Sequence, residues 1–201
     1  MNKLKKISAL VLLLLFTPFL FAQPSPISLL EQTATNIIES LKQNQASLKQ
    51  NPALVAQTVE RYLLPQVDIE GMSRSVLGKT AWNRATSAQR KQFSRLFTQL
   101  LIRTYAGPLA EYRDESVKFL PIRGGYDKRF VMVNSYIIRA HANNIPLDYS
   151  LIFTNNSWKI YDMSVEGVSF LQSFRSQFAQ ELQNTGMDAL ITQLEKKTQK
   201  K

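Results

Sequence analysis

The period of apolar residues changes twice along this chain, and that change limits the folds open to it more than any other feature. From Ile27 to Tyr112 hydrophobic side chains recur at three- and four-residue spacing. From Ser116 to Val165 they alternate. From Gly167 to Lys197 helical spacing returns. A period of 3.6 marks helices with one buried face, and a period of two marks strands covered on one side. The order helices, strands, helices predicts an α+β fold: a twisted four-stranded antiparallel sheet packed against several helices.

Individual elements can be read from capping and turn residues. Ile27, Leu30, Ala34, Ile37, Ile38 and Leu41 form one stripe. Asn51-Pro52 predicts a helix start, and Leu54, Val55, Val59, Tyr62 and Leu63 share its face up to Pro65. Val67–Leu77 reads as a short helix ended by Gly78. Thr86 and Gln89 form a capping-box pair. Behind them Phe93, Leu96, Phe97, Leu100, Leu101, Thr104, Tyr105 and Leu109 line one side, with Gly107-Pro108 expected to kink or interrupt the helix. Strands are expected at Ser116–Ile122, Phe130–Ala140, Ile145–Phe153 and Trp158–Val165. Gly124-Gly125, Asn143-Asn144 and Asn155-Asn156 serve as turns. Val168, Leu171, Phe174, Phe178 and Leu182 then share a helical face, and Met187, Leu190, Ile191 and Leu194 begin a last helix.

The first 22 residues stand apart. Lys3, Lys5 and Lys6 precede a run of fifteen residues, Ile7–Phe21, broken only by Ser8, Thr17 and Pro18. That is short for a membrane span and matches a secretory signal. Cleavage after Ala22 is expected, although Leu20 stands where a small residue is usual; an uncleaved anchor is the alternative. Residues 23–201 would then form one domain, helical over 27–112, sheet over 116–165 and helical over 167–197. The chain has no cysteine, so core packing alone must stabilise an exported protein. Without the three signal lysines, 22 Lys+Arg face 15 Asp+Glu, a net charge of +7. That balance favours anionic partners.

No catalytic constellation emerges. Ser73-Arg74-Ser75-Val76-Leu77-Gly78-Lys79-Thr80 ends like a phosphate loop, but Ser73 replaces the first glycine and no strand precedes it. Gly71-Met72-Ser73-Arg74-Ser75 falls one residue short of a nucleophile elbow. The one histidine, His141, lies beside a turn, and with no cysteine a transition-metal site is not expected. Asp162 and Glu166 could be paired carboxylates. As corner fixtures instead, Glu166 would meet free helix N–H groups, and Asp162, facing away from Tyr161 and Met163, would pair with Arg175. Aromatic residues on a basic sheet could stack bases, but no nucleic-acid signature accompanies them.

Two patterns carry a resemblance. One is Leu77-Gly78, Trp82, Arg90, Phe93, Phe97, Leu100-Leu101 and Tyr105. The other is Trp158, Tyr161-Asp162-Met163, Glu166-Gly167-Val168-Ser169, Arg175 and Phe178. Together they resemble the MlaC, or toluene-tolerance, family of periplasmic phospholipid-binding proteins. Phe174 departs from the tyrosine common there, keeping the ring and losing the hydroxyl. The resemblance implies an NTF2-like part and an apolar pocket for phospholipid acyl chains, with no catalytic residue or cofactor. It also implies shuttling between an outer-membrane lipoprotein–porin complex and an inner-membrane ABC transporter with an MCE-type subunit. With the alternation of the strands, it points to Val131, Val133, Ile137, Leu147, Tyr149, Leu151, Val165 and Val168 as pocket lining. Leu77, Phe97, Leu101 and Tyr105 join them from the helices. The alternatives are an NTF2-like enzyme acting on a hydrophobic molecule and a chaperone for apolar peptides.

Overall fold

The computed structural model describes residues 24–199 apart from Pro52 and Asp127. The expected signal segment and the proline of the Asn51-Pro52 pair lie outside the described residues. Among the described residues, no helix is long and apolar enough to cross a membrane.

Helix α1 spans Pro26–Gln43, opened by Ser25, whose hydroxyl accepts from the Ser28 N–H, with proline at the first helical position. Helix α2 covers Ala53–Thr58 and runs into a π turn at Val59–Leu63 and a 3₁₀ turn at Leu64–Gln66. Helix α3 covers Ile69–Arg84. As expected, the helical geometry breaks at Gly78, at φ 76° and ψ 160°, which glycine adopts without penalty, and a second helical stretch then runs to Arg84. Helix α4, Ser87–Ala110, begins with the expected Thr86/Gln89 capping box. It also runs unbroken through Gly107-Pro108. Pro108 sits in the last turn, where a missing N–H costs only one bond near the helix end.

Strands β1 (Ser116–Phe119), β2 (Phe130–Ile138), β3 (Ile145–Thr154) and β4 (Ser157–Val165) form the antiparallel meander. A two-residue β5, Val168–Ser169, adds a fifth strand, so the order is β1-β2-β3-β4-β5. The β3–β4 hairpin turns on Asn155 and Asn156 at φ 49° and 58°, the left-handed pair of a tight two-residue turn. Helices α5 (Phe170–Asn184) and α6 (Gly186–Gln199) complete the chain.

Three apolar clusters result. One joins α3, α4, α5 and α6 around Phe93, Phe97, Phe174 and Phe178. A second lies between one face of the sheet and the start of α1. A third gathers Ile37, Ile38 and Leu41 of α1 with Val55, Val59, Ile102 and Leu109. Helices α1 and α4 therefore each serve two clusters. Leu109, expected on the face of Phe93 and Phe97, packs in the third.

Candidate functional site

The sheet face is assembled from cross-strand pairs. Val131 lies opposite Leu151, Val133 opposite Tyr149, and Ile137 opposite Ile145. On the next ladder Leu147 faces Val165, Tyr149 faces Met163, and Leu151 faces Ile160. Directly opposed side chains project to the same side, so these pairs form one continuous apolar floor. Val133, Leu147, Tyr149 and Leu151 are buried in it, while Val131, Ile137 and Val165 are partly covered. Ser135 interrupts the row but donates its hydroxyl to the Leu147 carbonyl at 2.5 Å, which removes the polar penalty. Burial pushes the Tyr149 hydroxyl far above its ordinary value of 10.0, so the ring stays neutral.

The covering layer is thin. Ile27, Leu29 and Leu30 of α1 lie on the floor with Leu63 and Val67. Trp158 donates from Nε1 to the Pro24 carbonyl at 2.8 Å, tying the approach to α1 against β4. At the other end Val67 forms a bridge with Ile160, and the Asp68 N–H donates to the Ile160 carbonyl at 2.8 Å. The Asp68 carboxylate caps α3 through the Gly71 N–H at 2.9 Å. A Cβ on Gly71 would lie 2.0 Å from that carboxylate, so the Asp68 side chain would have to shift to accept one. Leu63 belongs to the second and third clusters and Val67 to the first and second. The irregular 59–67 segment is thus where the clusters meet.

The twelve expected lining residues are divided between two adjoining apolar clusters. Leu77, Phe97, Leu101 and Tyr105 belong to the helical cluster, the sheet residues to the other. Tyr105 stacks on Phe170 at 4.0 Å between ring centroids. Burial, and then the Asp162 charge, push its hydroxyl up. Val168 lies in β5 and not on the helix. Its register opposite Val165 places it on the side of the sheet floor, at an edge where it is 60% exposed. Phe174, the departure from the family pattern, sits edge-on to Phe97 at 5.3 Å between ring centroids.

The corner carboxylates do not take the roles expected of them. A β-bulge between Ile160 and Asp162 shifts the register, so Tyr161 packs with the helical cluster while Met163 packs on the sheet floor. Asp162 turns toward α5 and not away from Tyr161. Its Oδ1 accepts from Met163 N–H at 2.8 Å and Leu171 N–H at 3.0 Å, and its Oδ2 from Ser169 Oγ at 2.6 Å. Ser169 caps the helix by accepting from Gln172 N–H at 3.1 Å. Asp162 is therefore the carboxylate at the helix start. Glu166 is exposed in the β4–β5 turn at φ 51°, too early to reach the helix. Arg175 is exposed, and the oxygens of Asp162 are already taken, so the expected pair does not form.

The described residues that might have supplied acid–base chemistry lie apart from one another. Ser73 is wholly buried on α3, with its hydroxyl unpartnered. His141 is exposed in the β2–β3 turn. Asp148 accepts from the Asn134 amide at 2.8 Å on the sheet's outer face. Among the described residues, no group of three or more His, Cys, Asp or Glu is placed to hold a metal. A cleft of about 790 Å³ opens between α2, α4 and α6, lined by Ala53, Ala56, Ile102, Ala106 and the cations Arg95 and Arg103. None of the expected lining residues reaches it, and the sequence carried no signal for it because its walls come from three separated helices.

Comparison with known proteins gives a consistent picture. The sequence pattern of the MlaC protein family matches residues 31–196. The chain is 31% identical over 185 residues to the intermembrane phospholipid transport system binding protein MlaC of Haemophilus influenzae, covering 90% of this chain and 86% of that one. It is 29% identical over 179 residues to the toluene tolerance protein ttg2D of Pseudomonas putida, covering 89% and 83%. The fold superposes with a TM-score of 0.79 on a phospholipid-binding protein from Ralstonia solanacearum solved in complex with a phospholipid. That pair is 27% identical, covering 85% of this chain and 95% of the other.

Proposed function

The chain belongs to the MlaC family, and from that premise we propose that it is a phospholipid carrier working between two membranes. The observation that carries the reading is the uneven cover of the sheet floor. Among the described residues seven hydrophobic side chains of that cluster are buried and twelve are only partly covered. Apolar surface left half-covered within a fold is what an acyl chain would complete.

The physics sets the task. Each methylene moved from water into an apolar site gains roughly 0.8 kcal/mol. A two-chain lipid with about thirty methylenes would therefore pay on the order of 24 kcal/mol to cross water bare. A carrier removes that barrier by offering a dry surface of near-equal quality, and transfer needs only a small difference in affinity at each dock. The floor residues Val131, Val133, Ile137, Leu147, Tyr149, Leu151 and Val165 would hold the chains. Val168 would stand at the rim. Leu77, Phe97, Leu101 and Tyr105 would back the space from the helical side. Admission of a lipid requires α1 and the 59–67 segment to move off the floor. Their irregular π and 3₁₀ turns make that segment the weakest part of the cover.

In this reading the chain performs no catalysis and needs no cofactor. Residues 1–22 direct it to the periplasm, and residues 23–201 act there as one lipid-binding unit. It exchanges lipid with an outer-membrane lipoprotein–porin complex and with an inner-membrane ABC transporter bearing an MCE-type subunit, so sustaining lipid asymmetry of the outer membrane.

The test is organic extraction of the purified protein followed by mass spectrometry. Stoichiometric diacyl phospholipid is expected. Bound peptide, or an empty protein that turns over a hydrophobic substrate, would sink the proposal. Leu147→Asp places a carboxylate in the floor and should abolish lipid retention while the fold persists. A folded Leu147→Asp protein that still extracts with phospholipid would show that the floor is not the site.

A further inference from the structure

The exposed large hydrophobic residues of the described chain are Phe130, Met132, Tyr136 and Val168, and three of the four stand on alternate positions of β2. Alternation puts Phe130, Met132 and Tyr136 on the outer face of the sheet, away from the apolar floor. Phe130 is 54% and Met132 60% exposed. Ile152 stands opposite Phe130 on β3, and Tyr161, partly buried against the helical cluster, meets the Phe130 ring edge-on at 5.7 Å and closes the inner end of the row. Such an outward row needs a reason, because a sheet face turned to water is normally polar.

Its charge setting is one-sided. Between Val117 and Leu147 the sequence carries Lys118, Arg123, Lys128, Arg129 and Arg139 against Asp127 alone. Lys118 pairs directly with Tyr136, and the Arg129 guanidinium lies 5.7 Å from the Phe130 ring centroid. The one carboxylate on the neighbouring outer row, Asp148, is engaged by Asn134. Aromatic and methionine side chains rimmed by long cationic stems match the interfacial layer of an anionic bilayer. There the rings and thioether enter the headgroup boundary and the cations meet phosphates. A stable protein interface buries about 800 Å² per partner with shape-matched packing. A short row of separate side chains, interrupted by Asn134, does not supply that, whereas a fluid bilayer accepts separate side chains without matching them.

We propose that the outer row of β2, set in the cationic β1–β2 hairpin, seats this protein on anionic phospholipid bilayers. The floor of the sheet faces the other way, so this surface is independent of lipid carriage.

Co-sedimentation of the full exported chain with vesicles tests it. Vesicles of phosphatidylcholine with phosphatidylglycerol should bind the protein, and vesicles of phosphatidylcholine alone should bind it weakly. Raising salt, which shortens the Debye length from about 10 Å at 0.1 M to about 3 Å at 1 M, should release much of it. The double substitution Phe130→Ser with Met132→Ser should lower partitioning about tenfold, and Lys118→Gln with Arg129→Gln several-fold. Both variants remove exposed side chains, so circular dichroism and extracted phospholipid should match the parent protein. Equal binding of parent and variants, or no preference for anionic vesicles, overturns the proposal. So does a dimer in sedimentation equilibrium that the Phe130/Met132 variant dissociates, because the row would then seat a second copy. If vesicle binding behaves as expected while the extract holds no phospholipid, the carrier reading fails and this one stands.

Discussion

The helical cluster and the sheet cluster are of similar extent and differ in how completely they are filled. The first holds thirteen buried hydrophobic residues against eight partly covered, the second seven against twelve. The helical side closes on aromatic rings that pack against one another. Phe93 stacks on Phe97 at 5.7 Å, Phe178 meets Phe93 edge-on at 5.8 Å, and Phe97 meets Phe174 edge-on at 5.3 Å. Rings locked in this way leave no room and gain energy beyond their area. The sheet side is mostly aliphatic and covered by one helix end and an irregular turn. The pairing suggests a division of labour: a rigid helical block that stabilises the protein, and a compliant sheet floor left to a ligand.

The largest expected effect tests the rigid half. Phe97→Ala should lower unfolding free energy by about 3–5 kcal/mol in denaturant titration. A loss below about 1 kcal/mol would mean the aromatic block is not the stabilising half. Next comes the joint between the halves. Gly71→Ala should cost about 1–2 kcal/mol by expelling the Asp68 cap, read as a drop in melting temperature, and full stability would show the cap to be dispensable. On the compliant half, Val131→Ala should cost only about 1 kcal/mol yet reduce extracted phospholipid; the reverse pattern would erase the distinction between the halves. The last effect is a pH dependence. Because burial raises the Tyr149 pKa in the folded state, its contribution is complete below about pH 10 and lost as pH rises above that value. Stability should fall with alkali, and Tyr149→Phe should flatten that fall. An unchanged alkaline profile would place the titration elsewhere.

Much of the fold could be read in the chain because its signals are local. The capping box at Thr86 and Gln89, the Asn155-Asn156 turn and the alternation of Ile145–Phe153 each act within a few residues, and each is found as expected. Expectations failed where a local rule met a distant partner. Spacing gives the start of α5 to Glu166 and leaves Asp162 to pair with Arg175. The bulge after Ile160 turns Asp162 toward the helix, and the β4–β5 turn leaves Glu166 in solvent. Val168 has helical spacing to Leu171, yet pairing with Val165 draws it into a strand. Gly78 carries the mark of a helix end and does break the helix, but nothing local foretold that the chain returns to helix as far as Arg84.

The candidate site divides in the same way. Alternation selects which side of β2, β3 and β4 is apolar, since a strand has only two faces and one-residue slips exchange them. It does not select which helix covers that side, because more than one helix in the chain carries an apolar stripe. Tertiary packing made that choice, laying the start of α1 on the sheet and sending the Phe97 face of α4 to α3, α5 and α6. The sequence by itself determined the fold class, the floor residues of the strands and the family. Only the tertiary structure decided that floor and helical residues occupy separate clusters joined at Val67, because non-local packing depends on the shape of every surface at once and not on the period of any one segment.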